Sequence, residues 1–177
     1  MIFTIHCSNN NVIVLNLYLI INHLKKEGTK MIKTNLFNEK NKPSDNEKKG
    51  IIDFLFQHLE EFGDSIEDIE KAVNYALKET MSYGGFILQA FEGVKTTSIV
   101  VVNKTGMKGY IPENILVYIA THKELRGQGI GKEIMTEALN IAEGDVALHV
   151  EANNPAKFLY EKLGFKNKYL EMRYIKN

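Results

Sequence analysis

The chain has 177 residues, room for one ordinary domain with a buried core. Apolar residues make up 44% and charged residues 25%, the composition of a soluble globular protein. Lysine plus arginine balances aspartate plus glutamate at 22 each, which argues against a nucleic-acid binder with its counterion-releasing basic face, while leaving room for a local basic patch.

The lone cysteine, Cys7, forms no internal disulfide, so a reducing cytoplasm is the expected compartment. Residues 12–21 are the most apolar stretch, broken only by Asn16. That run is too short for a bilayer, which needs ~20 residues. It also lacks the basic start and small-residue cleavage site of a signal peptide. Lys26-Glu27-Gly28 can be encoded by a purine-rich run resembling a bacterial ribosome-binding site, two codons ahead of Met31. Residues 1–30 are therefore expected to be a non-native leader or an appendage, and 31–177 the domain.

From Met31 onward, residues 32–37 read as a first strand. Ser44 with Glu47 forms a capping-box signal, and apolar residues at 51, 52, 55, 56, 59 and 62 mark one helix face, ended by Gly63. Ser65 with Asp68 repeats the start signal for a helix carrying Ile66, Ile69, Val73, Ala76 and Leu77. Tyr83-Gly84-Gly85 switches the period. Residues 86–91 and 98–102 form a hairpin around Glu92-Gly93, and 114–121 a third strand. A helix after Gly129 carries Ile130, Ile134, Ala138 and Ile141 on one face. A strand over 146–150 follows, then a helix starting at Pro155 and closed by Gly164 with Phe165 packed back, then a strand over 169–175. The order β-α-α-β-β-β-α-β-α-β makes an α+β layered fold, a mixed sheet with helices on its faces.

Glycines at 127, 129 and 131 lie between a buried strand and a helix. Glycine permits positive φ, and the following helix offers unpaired N–H groups and partial positive charge, which suits a pyrophosphate. Arg126 and Lys132 bracket the loop and can add charge-assisted contacts. A Walker loop requires serine or threonine after the lysine, where Glu133 stands, and a dinucleotide fingerprint from Gly127 requires glycine where Lys132 stands. Neither common nucleotide motif fits.

Arg126-Gly127-Gln128-Gly129-Ile130-Gly131 resembles the R/Q-x-x-G-x-G/A signature of the GNAT superfamily of acyl-CoA-dependent N-acetyltransferases. Residues 153–165, with Asn153, Ala156, Tyr160, Lys162, Gly164 and Phe165, resemble the family's second signature. The resemblance spans about residues 31–177 by element order and is sharpest over 115–165. It implies a mixed, mostly antiparallel sheet with helices on both faces. It further implies acetyl-CoA as co-substrate, with backbone groups of Ile119 and Thr121 pairing the pantetheine arm like an added strand. The amides of Gly127, Gln128, Gly129, Ile130, Gly131 and Lys132 would hold the pyrophosphate. Counting back from Tyr160 puts the family's cofactor-contacting asparagine at Asn153, whereas aligning the preceding strand puts it at Asn154; both stand.

An alkyl ammonium with a pKa near ~10.4 must lose a proton before attack, and a thiol with a pKa near ~8.5 leaves more readily beside a proton donor. Tyr160 stands where the resemblance places that donor. Three residues compete as base with a water chain: Glu113, two before Ile115; His149, a residue type that titrates near neutrality; and Glu151 on the same face. The histidines at 6, 23, 58, 122 and 149 lack metal-ligand spacing, so no metal is expected, and His58 reads as structural. With Cys7 outside the domain, direct transfer in a ternary complex to a primary amine follows. The acidic run Glu60, Glu61, Asp64, Glu67, Asp68 and Glu70 can line the acceptor entrance or form a solvated face. Tyr110 to Glu113 is an ordinary loop or a pocket wall. A catalytically silent acyl-CoA-binding module of the same fold is the alternative reading. No membrane partner is expected, and dimerisation stays open.

Overall fold

The computed structural model describes residues 32–176, so the expectations for residues 1–31 lie outside the described residues. Strand β1 (Lys33–Phe37) leads into helix α1 (Asp45–Leu59). The capping box at its start is complete: the Ser44 hydroxyl accepts from the Glu47 amide, and the Glu47 carboxylate accepts from the Ser44 amide at 2.8 Å. Ile51, Ile52 and Leu55 of the predicted stripe are buried, whereas Phe56 is exposed. A short 3₁₀ turn, Glu60–Phe62, precedes Gly63. Ser65 caps helix α2 (Ile66–Ala76) through the Asp68 amide, and Ile69, Val73 and Ala76 are buried.

Strands β2 (Gly85–Glu92) and β3 (Lys95–Lys104) form the expected hairpin, with Gly93 at φ 63° in the turn, a conformation glycine adopts without steric cost. β4 (Asn114–Thr121) has the predicted bounds. Helix α3 (Ile130–Ile141), β5 (Val146–Leu148) and helix α4 (Lys157–Lys162) complete the elements. The sheet order is β1-β2-β3-β4-β5, antiparallel except for the parallel β4–β5 pair. The fold is the expected mixed α+β arrangement.

Alternation along the strands builds a core on each face. Ile87, Ile99, Val101 and Ala120 pack with α1 and α2. Leu88, Val100, Val102 and Leu116 pack with Ile134, Met135 and Ala138 of α3 and with Tyr160 of α4. Strict alternation would place Leu116 and Tyr118 on one face. The β3–β4 register slips there: Val101 pairs with Tyr118 and Val102 with Leu116, leaving Val117 as an extra residue. Tyr118 consequently joins the α1/α2 face while Leu116 joins the α3 face.

Three expectations are corrected. The strand expected over 146–150 stops at Leu148, because β4 pairs with it only from Asn114 to Leu116. The last helix starts at Lys157 rather than Pro155: the Asn154 side-chain oxygen accepts from the Ala156 amide at 2.9 Å, so the chain makes a turn before entering the helix. Residues 169–175 form no strand. Their apolar side chains are 77–93% exposed, and strand preference is expressed only where a neighbouring strand and a half-buried surface receive it. The C-cap of α4 is as expected, with Gly164 at φ 93° and the Phe165 amide donating to the Tyr160 carbonyl at 3.0 Å.

Candidate active site

Beyond the Leu116–Leu148 pair, β4 and β5 part, and β4 runs on to Thr121 hydrogen-bonded only to β3. The gap opens into a cleft of about 1200 Å³. Its walls include residues 115–121 of β4, the glycine loop, His149 to Glu151 beyond β5, Asn154 to Ala156, and Tyr160. His58 to Glu60, Phe62 and Asp64, from the end of α1 and its connection to α2, line it as well.

Ile119 and Thr121 both line the cleft, on the edge of β4 that no strand covers. Gly127 at φ 77° and Gly129 at φ 88° hold the left-handed conformations that the loop demands, and a Cβ at either would meet nothing within 4 Å. Backbone curvature alone therefore explains glycine there. Gly129 caps α3, and the first intrahelical bond runs from the Glu133 amide to its carbonyl at 3.0 Å. The amides of Ile130, Gly131 and Lys132 precede that bond, so the positive end of the helix dipole faces the loop. Gln128 spends its side chain holding the Glu124 carbonyl at 3.2 Å.

Arg126, expected at the phosphate, also makes bonds within the protein. Its Nε donates to the Thr121 carbonyl at 3.2 Å, and its two terminal nitrogens donate to the His58 carbonyl at 2.6 Å and to Glu60 at 2.8 Å. The guanidinium staples the end of α1 to the end of β4 and holds the Glu60 carboxyl below the ordinary carboxylate range. Lys132 also lines the cleft and forms no ion pair among the described residues, which makes it the loop's free cation.

Tyr160 is buried, edge-on to Phe165 at 5.9 Å between ring centres, and lines the cleft. Burial pushes its phenol up to about 12. Of the two asparagines, Asn154 lines the cleft and Asn153 does not. His149 and Glu151 line it as well, with His149 Nε2 at 3.8 Å from Glu171. Glu113 sits at the opposite end of β4, outside the cleft walls. Its carboxylate accepts from the Asp145 amide at 2.9 Å, and that bond holds its pKa below the ordinary range.

Two arrangements were not foreseen in the sequence. His58 stacks on Phe54 at 4.4 Å and on His122 at 4.5 Å, and burial lowers its pKa. The pairing needs the fold to bring α1 over the end of β4, so no local motif announces it. The second is a hydrogen bond of 2.7 Å from the Tyr118 hydroxyl to Asp64. Its acid belonged to a recognisable run, but the tyrosine reaches it only through the Val117 bulge. Among the described residues, no group of three or more His, Cys, Asp or Glu can hold a metal ion, and no helix is long and apolar enough to cross a membrane.

Residues 88–167 match the family model described as an acetyltransferase (GNAT) domain. A curated mouse protein, cysteine-rich protein 2-binding protein, is 40% identical over 55 residues, which are 30% of this chain. The chain spans only about 7% of that relative's length. Among solved structures, a GNAT-family acetyltransferase from Streptococcus pneumoniae superposes with a TM-score of 0.58 at 18% identity, covering 82% of this chain and 98% of the other. An aminoglycoside N-acetyltransferase in complex with CoA superposes with a TM-score of 0.60 at 12% identity, covering 84% and 97%. The match to a GNAT acetyltransferase domain thus runs from β2 through the cap of α4, and the chain shares the fold of these acetyltransferase neighbours.

Proposed function

We propose that the protein is an acetyl-CoA-dependent N-acetyltransferase that moves an acetyl group to a primary amine by direct transfer in a ternary complex. The observation that carries this reading is a single cleft bounded by the uncovered edge of β4, the glycine loop at the start of α3, and Tyr160. The pantetheine arm extends along the free edge at Ile119 and Thr121. The pyrophosphate rests on the amides of residues 127–132, with Lys132 supplying charge and Asn154 placed beside the arm. The amine nitrogen attacks the thioester carbonyl carbon, the C–N bond forms, and the C–S bond breaks. The departing thiolate takes its proton from Tyr160, which burial keeps protonated at neutral pH, and the phenolate regains a proton from solvent. The nitrogen gives up its protons to His149, which opens onto the cleft, and from there to solvent. Glu113 is the weaker candidate base, since its carboxylate is already held by a backbone amide away from the cleft. No cysteine occurs after Cys7, which favours direct transfer over an acyl-cysteine intermediate.

The test is CoA release from acetyl-CoA across a panel of primary amines. Amine-dependent release with mass-detected N-acetyl product is expected. Tight acetyl-CoA binding with no turnover on any amine would replace this reading with that of a silent acyl-CoA-binding module. Thermal stabilisation by ATP and not by acetyl-CoA would overturn the assignment of the loop.

A further inference from the structure

Asp64 lies in the short connection between α1 and α2 and lines the cleft. It accepts a hydrogen bond from the Tyr118 hydroxyl at 2.7 Å, and that tyrosine is buried except for its rim on the cleft. Tyr118 points this way only because Val117 is bulged out of the β3–β4 register. The same bulge lies next to the point where β4 and β5 part. The carboxylate is thus fixed one tyrosine side chain away from the strand along which the thioester is to lie.

Two other carboxylates that line the cleft are occupied. Glu60 is held by Arg126, and Glu171 is held by Arg173 and faces His149. Arg173 lies in electrostatic reach of Asp64 and bonds Glu171 through its Nε. Among the described residues Asp64 forms no ion pair, and Tyr118 uses only one of its two oxygens. Glu151, across the gap beyond β5, also lines the cleft, and among the described residues it has neither an ion pair nor a side chain that orients it. An oriented carboxylate with a free oxygen, beside the reaction point, is an acceptor for an ammonium group.

We propose that Asp64, positioned by Tyr118, anchors a second cationic group of the acceptor, so that the preferred substrates are di- or polycationic amines. This assignment rests on the N-acetyl transfer reading. The distal ammonium donates to the free oxygen of Asp64, and the near nitrogen, after losing its proton, faces the thioester. Tyr118 is the positioning residue, because its hydroxyl fixes the carboxylate without touching the acceptor.

Acetylation of 1,4-diaminobutane and of butylamine, which lacks the second charge, gives the test on the full chain. Wild type is expected to favour the diamine in kcat/KM by ~10-fold or more, the scale of one charge-assisted hydrogen bond. Asp64→Asn removes the charge in place, so the preference collapses through a rise in KM for the diamine while butylamine changes less than ~2-fold. Tyr118→Phe shifts the ratio in the same direction by a smaller factor, and acetyl-CoA affinity and unfolding midpoint report whether either variant remains folded. Equal losses on both amines in Asp64→Asn, or an unchanged preference, overturn the anchor while leaving acetyl transfer standing. Collapse of the preference in Glu151→Gln instead moves the anchor across the cleft and overturns it equally. Turnover of neither amine by wild type, on the other hand, overturns acetyl transfer to such amines and this assignment with it.

Discussion

Alanine at Gly129 and alanine at Gly131 should shift stability in opposite directions, although only one residue separates the two positions. Gly129 has φ 88° and open space where a Cβ would go, so the substitution costs only backbone strain. A left-handed conformation costs an L-residue ~1–2 kcal/mol. Gly131 lies inside the first turn of α3, and a Cβ there would meet Thr121 Oγ1 at 3.4 Å and Leu159 Cδ2 at 3.5 Å, ordinary contact distances. Alanine at such a position gains ~0.4–1 kcal/mol, chiefly by restricting the unfolded chain. For a domain of this size each kcal/mol moves the midpoint by about 2–4 °C. Gly129→Ala should therefore melt roughly 2–8 °C below wild type and Gly131→Ala roughly 1–4 °C above it. Differential scanning calorimetry reads both. Equal destabilisation by the two substitutions, or a neutral Gly129→Ala, would refute the assignment of the loop's curvature to residue 129.

Three further outcomes are expected. Tyr160→Phe should lower kcat by ~10²-fold or more with little change in acetyl-CoA affinity, measured by steady-state kinetics and calorimetry. Burial raises the Tyr160 phenol to about 12, so the unfolded chain ionises first, and the stability this contributes below pH 10 is lost as pH climbs towards 12; Tyr160→Phe should show a shallower alkaline loss in urea titrations. Glu113→Gln should leave kcat within ~2-fold because the carboxylate faces the Asp145 amide, and a loss of ~10²-fold would restore Glu113 as the base. Its lowered pKa means the Glu113 contribution is present above the ordinary carboxylate range and lost as pH falls through the folded value, so the variant should lose less stability in acid. Arg126→Lys should destabilise about as much as Arg126→Ala, by about 1 kcal/mol in chemical unfolding, because a lysine cannot reach three acceptors in one fork; full rescue by lysine would refute the staple.

What the sequence made legible was local or periodic. Ser44 with Glu47 and Ser65 with Asp68 announced two helix starts because capping uses side chains three residues apart. The bounds of β4, the α4 cap at Gly164 and the curvature of the glycine loop were equally readable, since each depends on a few adjacent residues. What failed depended on distant partners. The segment 169–175 has the residues of a strand but no edge to pair with. The acceptors of Arg126, the His58 and Thr121 carbonyls and Glu60, come from other elements, so no local motif announces them. The two placements for the cofactor asparagine differ by one residue, which only the turn at Asn154 and Ala156 separates into a cleft wall and an outer surface. Tyr118 was invisible as a site residue because the bulge that redirects it leaves no mark in the order of side chains.

That bulge makes β4 two half-strands with independent duties. Before Val117 the strand is committed to β5 and the α3 layer; after it, Tyr118 and Ala120 look toward α1 and α2 while the opposite side of the same residues borders the cofactor channel. A substitution at Tyr118 can therefore reshape what the α1–α2 connection recognises without disturbing the residues beside the thioester. Deleting Val117 would remove the bulge and leave Tyr118 and Ala120 facing α1 and α2, whereas deleting a residue after it would send every later side chain of the strand to the wrong layer. Changes of substrate in this scaffold are thus expected by replacement within the second half-strand, and never by a change in its length.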